Sequence, residues 1–192
     1  MQSVYAAAWH RSNGWAKQAY PTLNQMVRED EMYDEIDEMR MTQALKAAAD
    51  AAEAGEVPVG AVIYHSDRLV ARAHNQREML QDPTAHAEIL AITQAAAALE
   101  SWRLEDCTMY VTLEPCAMCA GALVLSRMPR LVFGARDPKA GACGSVLDVL
   151  ACERLNHTVE VVSGVLAEPC GLVLSDFFRE RRRAGREGRD HG

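Results

Sequence analysis

The sequence predicts a three-layer α/β/α domain with a five-stranded mixed sheet. Strand-like and helical segments alternate along most of the chain, which is typical of an α/β domain. The first two strand-like segments are joined by a short turn and form a hairpin, so the sheet contains antiparallel as well as parallel pairs. No apolar run approaches the ~18 residues that a membrane-spanning helix needs, and we therefore expect no membrane partner.

The first half of the predicted domain contains a helix, the hairpin and a second helix. The first helix runs from about Met39 to Gly55, because its apolar residues recur at helical spacing. The hairpin strands lie at residues 57–64 and 69–73, a polar loop lies at residues 75–83, and an alanine-rich helix covers residues 85–99.

The second half adds three strands separated by helices. Short apolar runs alternate there with helical patterns, and a glycine-rich loop lies at residues 137–145. We expect strands at residues 108–113, 131–134 and 159–162, and helices at residues 116–127, 146–151 and 167–183.

Pattern and charge divide the chain into three parts. Residues 1–28 show no clear apolar period, and residues 29–38 form an acidic run that we interpret as the solvated start of a helix. Together residues 1–38 are interpreted as an N-terminal extension, for which disorder and an artefact of the assigned gene start are the alternatives. Residues 39–183 form the folded domain, and residues 184–192 form a basic C-terminal tail. The net charge is −7, whereas residues 179–192 carry six arginines against three acidic residues. An acidic average disfavours non-specific nucleic-acid binding but is compatible with a local basic rim.

The N-terminus does not resemble a secretory signal, because its apolar patch is short and no basic residue precedes it. We therefore expect a cytoplasmic protein whose six cysteines are reduced. Four of these cysteines are interpreted as packing residues, namely Cys107, Cys143, Cys152 and Cys170.

Two local patterns carry candidate chemistry. One is His86-Ala87-Glu88, and the other is Pro115-Cys116-Ala117-Met118-Cys119. A His-x-Glu pattern alone means little, but six cysteines give only roughly 0.2 chance Cys-x-x-Cys pairs in this length. Each pattern lies at a predicted helix start, where unpaired N–H groups stabilise a thiolate.

Together the two patterns predict a catalytic zinc site. Zinc prefers cysteine sulfur and histidine nitrogen, and Cys116 and Cys119 are one helical turn apart. His86 supplies a third ligand, and no fourth protein ligand has comparable spacing. Three ligands leave a position for a water molecule, whose pKa zinc lowers to roughly 7. Glu88 is a candidate proton shuttle, although on an ideal helix it points about 200° away from His86.

These residues resemble the zinc-dependent deaminases of nucleosides and nucleobases, and among them the bacterial tRNA-specific adenosine deaminases. The His-x-Glu and Pro-Cys-x-x-Cys pair is typical of zinc base deaminases. The similarity runs from about Met39 to Arg183 and leaves residues 1–38 unexplained. The matching segments are residues 56–62, 74–75, 82–88, 110–116, 118–122, 133–137 and 174–178.

The resemblance implies a cytidine-deaminase-like fold and a specific reaction. That family converts adenosine to inosine at the wobble position of a tRNA anticodon, usually in tRNA-Arg, as a homodimer with one Zn²⁺ per subunit. By this similarity His86, Cys116 and Cys119 bind zinc, and Glu88 is the proton shuttle. A zinc-activated hydroxide then attacks C6 of adenine, while Glu88 protonates N1 and helps ammonia to leave.

The resemblance also implies six substrate-binding residues. Asn75 lies against the flipped base, where an amide both donates and accepts hydrogen bonds. Asp137 and Phe178 lie near the anticodon nucleotides, where an aromatic ring stacks on an unpaired base. The remaining pocket residues are Val57, Pro58 and Ala87.

Basic residues are candidates for contact with the RNA backbone of the anticodon stem-loop. The bases of that loop are already largely unpaired, so flipping one costs less free energy than in a duplex. A solubilising helix face is the alternative interpretation of the C-terminal arginines. The candidates are Arg136 and Lys139 near the glycine-rich loop, and Arg179, Arg181 and Arg182 near the C-terminus.

Three other interpretations stay open. A deaminase of a small free base, such as guanine or cytosine, would share the zinc and Glu88. A zinc-stabilised binding module without catalysis would need neither Glu88 nor an open ligand position. A redox disulfide between Cys116 and Cys119 would need no metal.

Overall fold

The structure is a computed structural model that describes the backbone of residues 23–187 and the side chains of residues 35–184. The chain divides into two compact units, residues 1–35 and residues 36–192, and the second unit contains the sheet and the helices packed on it. The predicted extension and tail therefore lie largely outside the described residues. None of the described helices is both long enough and apolar enough to cross a membrane.

Five helices and five strands make up the described chain. The helices are α1 (Leu23–Glu53), α2 (Arg77–Leu80), α3 (Ala87–Ala98), α4 (Ala117–Leu125) and α5 (Ala167–Glu187). The strands are β1 (Gly60–His65), β2 (Arg68–His74), β3 (Cys107–Leu113), β4 (Arg130–Ala135) and β5 (Glu160–Ser163). The sheet order is β2-β1-β3-β4-β5. β1 pairs antiparallel with β2 and β3, whereas β4 pairs parallel with β3 and β5, so the predicted mixed five-stranded sheet is confirmed.

The sheet separates two apolar cores. Neighbouring residues of a strand point to opposite faces, so Ile63 and Val62 of β1 belong to different cores. The core that contains Ile63 is closed by α3 and α4. The core that contains Val62 is closed by α1 and α5, through residues such as Met41 and Cys170. Helices on both faces confirm the three-layer architecture.

A buried polar cluster fastens α1 to the sheet. The Asp37 carboxylate is 3% exposed and accepts two hydrogen bonds from the Arg130 guanidinium, at 3.0 and 2.7 Å. It also accepts a hydrogen bond from the Tyr110 hydroxyl at 2.8 Å. The Arg40 guanidinium lies 4.5 Å from the centre of the Tyr64 ring, a cation–π geometry. These contacts join α1 to β1, β3 and β4.

A glycine sets the close packing of α1 on β1. A Cβ atom at Gly60 would collide with the backbone of Ala44 and Ala48 on α1. Only glycine lacks this atom, so only glycine lets the first strand of the sheet approach the helix backbone so closely.

The structure corrects the predicted starts of the first two elements. The first helix begins at Leu23, before the acidic run that the sequence indicates as a helix start, and continues into the amphipathic segment predicted from about Met39. β1 begins at Gly60 instead of residue 57, because Pro58 has no N–H to donate and the Val59 N–H closes a tight turn onto the Val57 carbonyl at 2.8 Å.

Two predictions for the segments that connect the main strands and helices were also wrong. Residues 146–151, predicted as a helix, form turns, because the N–H groups of Val146 and Leu147 donate to the Gly141 carbonyl at 3.0 and 3.1 Å. The region predicted as a polar loop at residues 75–83 contains the single-turn helix α2.

Candidate metal centre and substrate pocket

Two helices begin at residues that carry the predicted metal ligands. His86 is the N-cap residue of α3, and Cys116 is the N-cap residue of α4. Both have an extended backbone, and neither uses its side chain to cap its own helix. Their side chains are therefore free to face each other, and Cys119 joins them from the first turn of α4.

The three ligand atoms form a nearly equilateral triangle. The His86 Nδ1 atom lies 3.7 Å from Cys116 Sγ and 3.6 Å from Cys119 Sγ, and the two sulfurs are 3.7 Å apart. Ordinary zinc bond lengths in a tetrahedron place two sulfurs about 3.8 Å apart and a sulfur about 3.5 Å from a nitrogen. The donor set and its spacing therefore fit a tetrahedral metal ion. All six cysteines are free, so no disulfide joins Cys116 to Cys119.

The surroundings favour a thiolate at Cys116. Hydrogen bonds from Cys119 and His86 lower the pKa of the Cys116 thiol to about 3. The same contact with Cys116 raises the pKa of His86. The backbone N–H of Cys119, at the start of α4, adds to this effect, because the positive end of a helix dipole stabilises negative charge. A negatively charged sulfur is the form that binds a metal.

Glu88 lies beside this triangle in the same pocket. It is 4% exposed, and burial raises the pKa of its carboxyl above the ordinary value. The expectation that residues two apart point in opposite directions holds only inside a helix. His86 lies outside α3 with a ψ of 152°, and this extended backbone lets both side chains line one pocket.

The pocket contains six of the residues singled out from the sequence. They are Val57, Asn75, His86, Glu88, Cys116 and Asp137. Two other predicted substrate residues lie next to the pocket but not in its lining: Pro58 and Ala87 are buried behind it. Phe178 is 42% exposed on α5 and packs against Phe177, with the ring centres 5.5 Å apart.

The predicted RNA-contact residues lie on two segments. Arg136 and Lys139 are exposed and flank Asp137, and the Arg136 guanidinium donates to the Ser163 hydroxyl at 3.3 Å. On α5, Arg179 forms an ion pair with Asp176 at 2.6 Å, and the Arg181 guanidinium lies 5.4 Å from the Phe177 ring centre. Arg182 is exposed on the same helix.

Five lining residues were missed from the sequence. Their main signal is adjacency, since Glu114 directly precedes the Pro-Cys motif and Arg77 follows Asn75 by two positions. They are Val59, Arg77, Leu113, Glu114 and Ala140. Cys152 also departs from expectation, because it is exposed and is not a packing residue.

A buried carboxylate holds Asn75 in place. Glu56 is 1% exposed, and its Oε2 atom accepts a hydrogen bond from Asn75 Nδ2 at 3.0 Å. Its Oε1 atom accepts the backbone N–H of Met79 in α2 at 2.7 Å. With its nitrogen directed at Glu56, the Asn75 amide has one orientation.

Comparisons with known proteins identify relatives of this chain. The family model of MafB19-like deaminases matches residues 35–182. The tRNA-specific adenosine deaminase of Bacillus subtilis (strain 168) is 56% identical over 153 residues, which cover 80% of this chain and 95% of that protein. The tRNA-specific adenosine deaminase of Haemophilus influenzae is 50% identical over 149 residues, which cover 77% of this chain and 86% of that protein.

Solved structures share the fold. A structure from a study of A-to-I editing by tRNA:A34 deaminases at the wobble position of transfer RNA has a TM-score of 0.69 and 42% identity, covering 71% of this chain and 99% of that chain. The guanine deaminase from Nitrosomonas europaea has a TM-score of 0.63 and 27% identity, covering 73% of this chain and 83% of that chain.

Proposed function

The chain belongs to the MafB19-like deaminases and to the family of its tRNA-specific adenosine deaminase relatives, and we infer that it converts adenosine to inosine at the wobble position of a tRNA anticodon. The observation that carries this inference is the triangle of His86, Cys116 and Cys119 with Glu88 in the same pocket. The relatives and the wobble-editing structure support a tRNA substrate. From the family resemblance we further propose that this substrate is the anticodon stem-loop of tRNA-Arg and that the reaction takes place in the cytoplasm.

The metal of this site is proposed to be zinc, one ion per subunit. Two sulfurs and one imidazole nitrogen are a typical donor set for catalytic zinc. Bound there, zinc would supply the Lewis acidity that makes water nucleophilic at neutral pH. The role of the protein is to keep the three ligands in place at the starts of two helices.

Glu88 is proposed to move protons during the reaction. Its carboxyl group is buried in the pocket, and no cationic side chain forms an ion pair with it among the described residues. A carboxyl that is not held by a salt bridge is free to give a proton to N1 of adenine and then to assist departure of ammonia. Asn75 is proposed to orient the base, and the phosphate groups are proposed to lie against Arg136, Lys139 and the α5 arginines.

The proposed homodimer has a candidate surface on α4. Met118 is 37% exposed and Leu125 is 72% exposed, and these positions lie two helical turns apart on one face. Gly121 and Ala122 lie between them on that face and are partly exposed. An apolar helix face of this kind is typical of a surface that is covered by another protein chain.

The variant Glu88→Gln tests the catalytic proposal. It keeps the size of the side chain but cannot carry the proton, so we expect zinc content to be unchanged and inosine formation to fall by at least about a hundredfold. Zinc is measured by atomic emission and inosine by nucleoside mass spectrometry on a wobble-adenosine stem-loop. Full turnover in this variant would contradict the proton role, whereas a wild-type protein that holds zinc and forms no inosine would favour a binding module.

The likeness to a guanine deaminase makes free bases the matched alternative substrates. Guanine, cytosine and adenine are incubated in parallel with the RNA. Deamination of a free base while the RNA stays unreacted would identify the protein as a deaminase of small free bases. The proposed roles of zinc and Glu88 would be retained.

A further inference from the structure

A second buried carboxylate lies in the pocket without a role in the chemistry described above. Glu114 follows β3 and directly precedes Pro115 and the metal ligand Cys116. It is 2% exposed, and its side chain lines the pocket. Within the described part of the chain it forms no ion pair with a basic residue. A buried carboxylate without a cation is costly unless hydrogen bonds stabilise it.

The 137–145 loop supplies these hydrogen bonds. The Asp137 N–H donates to Glu114 Oε2 at 3.0 Å, and the N–H groups of Cys143 and Ser145 both donate to Oε1 at 3.0 Å. The Ser145 hydroxyl donates to Oε2. Charge-assisted bonds of this kind are stronger than neutral ones.

The path of the loop is fitted to this carboxylate. A Cβ atom at Gly141 would lie 2.5 Å from the Glu114 carboxylate and 2.6 Å from the Asp137 carbonyl oxygen, so only glycine fits there. The loop is also fastened to the metal-binding segment, because the Ala142 N–H donates to the Pro115 carbonyl at 2.8 Å and Gly141 pairs with Cys116 as an isolated β-bridge. Two pocket-lining residues, Asp137 and Ala140, belong to this loop.

We propose that Glu114 is a positioning residue for the deamination, which holds the 137–145 loop as a fixed wall of the pocket beside the metal centre. The proposal rests on the proposed function, because the group to be positioned is the base that this function places in the pocket. A pocket wall that is fixed before the substrate binds keeps the reacting carbon of the base close to the attacking oxygen. A displacement of the base by 1 Å can cost a factor of about 100 in rate.

The variant Glu114→Gln isolates this role. Its oxygen can still accept from Cys143 and Ser145, but its NH₂ group then faces the N–H of Asp137, so that end of the loop is released. We expect kcat on the wobble-adenosine stem-loop to fall at least about tenfold, with a smaller change in KM and unchanged zinc content. We also expect faster amide hydrogen exchange in a peptide that spans Asp137.

Two further variants provide the controls. Ser145→Ala removes only the hydroxyl donor and leaves the Asp137 hydrogen bond, so kcat is expected to stay within about threefold of the wild type. Gly141→Ala pushes the loop away from an intact carboxylate and is expected to reproduce the loss of kcat, which covers the case in which Glu114→Gln does not fold.

The opposite results overturn the proposal. They are an unchanged kcat in both Glu114→Gln and Gly141→Ala, or a loss of kcat without faster exchange at the loop, or a loss that follows zinc content. Failure of the proposed function is a different result, since a wild-type protein that forms no inosine contradicts the function, while hydrogen exchange still decides whether Glu114 holds the loop.

Discussion

The cysteines of this chain fall into chemically distinct groups. Burial raises the pKa of Cys107 and Cys170 to about 11 and that of Cys143 to about 12, so these thiols stay protonated and inert at neutral pH. Cys116 differs, because neighbouring hydrogen bonds lower its pKa. The sequence pattern separated Cys116 and Cys119 from the others, and the distances to His86 agree with that separation.

The ligand assignment predicts a difference between two cysteine variants. Cys116→Ser removes a thiolate from the triangle and is expected to lower zinc content well below one ion per chain, because serine is a poor zinc ligand. Cys170→Ser changes a buried cysteine on α5 and is expected to retain zinc. The zinc content of both variants is measured by atomic emission after dialysis against a weak chelator. Equal zinc content in the two variants would contradict the ligand assignment.

A second residue-scale prediction concerns the Glu56–Asn75 hydrogen bond. Glu56→Gln replaces an acceptor with a group that also donates, so the Asn75 amide loses its fixed orientation. We expect kcat/KM for the stem-loop to fall at least about tenfold. In a double-mutant cycle, the variant that carries both Glu56→Gln and Asn75→Ala is expected to have the same kcat/KM as Asn75→Ala alone.

The matched control for that cycle is Glu78→Gln, which changes an exposed carboxylate on α2 and is expected to leave kcat/KM unchanged. If the effects of Glu56→Gln and Asn75→Ala instead add in the double variant, Glu56 does not act through Asn75.

At the scale of elements, the Asp37 carboxylate is one of the contacts that hold α1 on the sheet. Asp37 lies just outside the predicted domain of residues 39–183, yet it accepts hydrogen bonds from Arg130 and Tyr110 in the sheet. A chain begun at Met39 would lack this residue. The acidic run before Met39 therefore includes at least one buried residue of the folded domain.

Removal of this carboxylate is expected to destabilise the protein. Asp37→Ala leaves the Arg130 guanidinium, which is 22% exposed, without its main partner, and we expect the free energy of unfolding to fall by about 2–4 kcal/mol. Glu35→Ala changes an exposed acid on the same helix and is expected to shift it by less than about 0.5 kcal/mol. Urea unfolding measures both, and equal shifts would contradict the anchoring role.

The sequence predicts most elements but not every boundary. The alanine-rich segment at residues 85–99 and the helix predicted at residues 116–127 correspond to α3 and α4, the two helices that carry the site. Periodicity could not show that residues 146–151 form turns, since their N–H groups bond to Gly141 and Ala142 in the preceding loop. It also could not show Asp37 as buried, since its partners Tyr110 and Arg130 lie 73 and 93 residues away.

The site divides in the same way. The candidate metal ligands and Glu88 lie in local sequence patterns, whereas the contacts of Glu56 and Glu114 depend on folded loops, and only the position of Glu114 next to the Pro-Cys motif is visible in the sequence. The comparisons carry the choice of substrate, because zinc ligands and a carboxyl group serve every base deaminase equally well.

At the scale of the whole molecule, the exposed α4 face predicts an assembly. Leu125→Glu places a charge on the proposed dimer surface and is expected to convert a dimer to a monomer, as measured by sedimentation equilibrium with zinc present. Leu172→Glu, which changes a residue 52% exposed on α5, is the control and is expected to remain dimeric. A monomeric wild-type protein would contradict the assembly.

The proposed RNA-contact residues, namely Arg136, Lys139 and the α5 arginines, oppose the net charge of −7 that the whole chain carries. Arg182→Gln is expected to weaken binding of the stem-loop and to reduce the slope of log affinity against log salt by about 0.7–0.9. An unchanged slope would remove Arg182 from the RNA surface.

The most direct test of the central claim is the position at which inosine forms. The full chain, loaded with zinc, is incubated with an anticodon stem-loop of tRNA-Arg that carries adenosine at the wobble position and at other positions of the loop. We predict inosine at the wobble position alone, no reaction with free adenine, guanine or cytosine, and no product with Glu88→Gln. Unreacted RNA beside a deaminated free base would contradict this prediction.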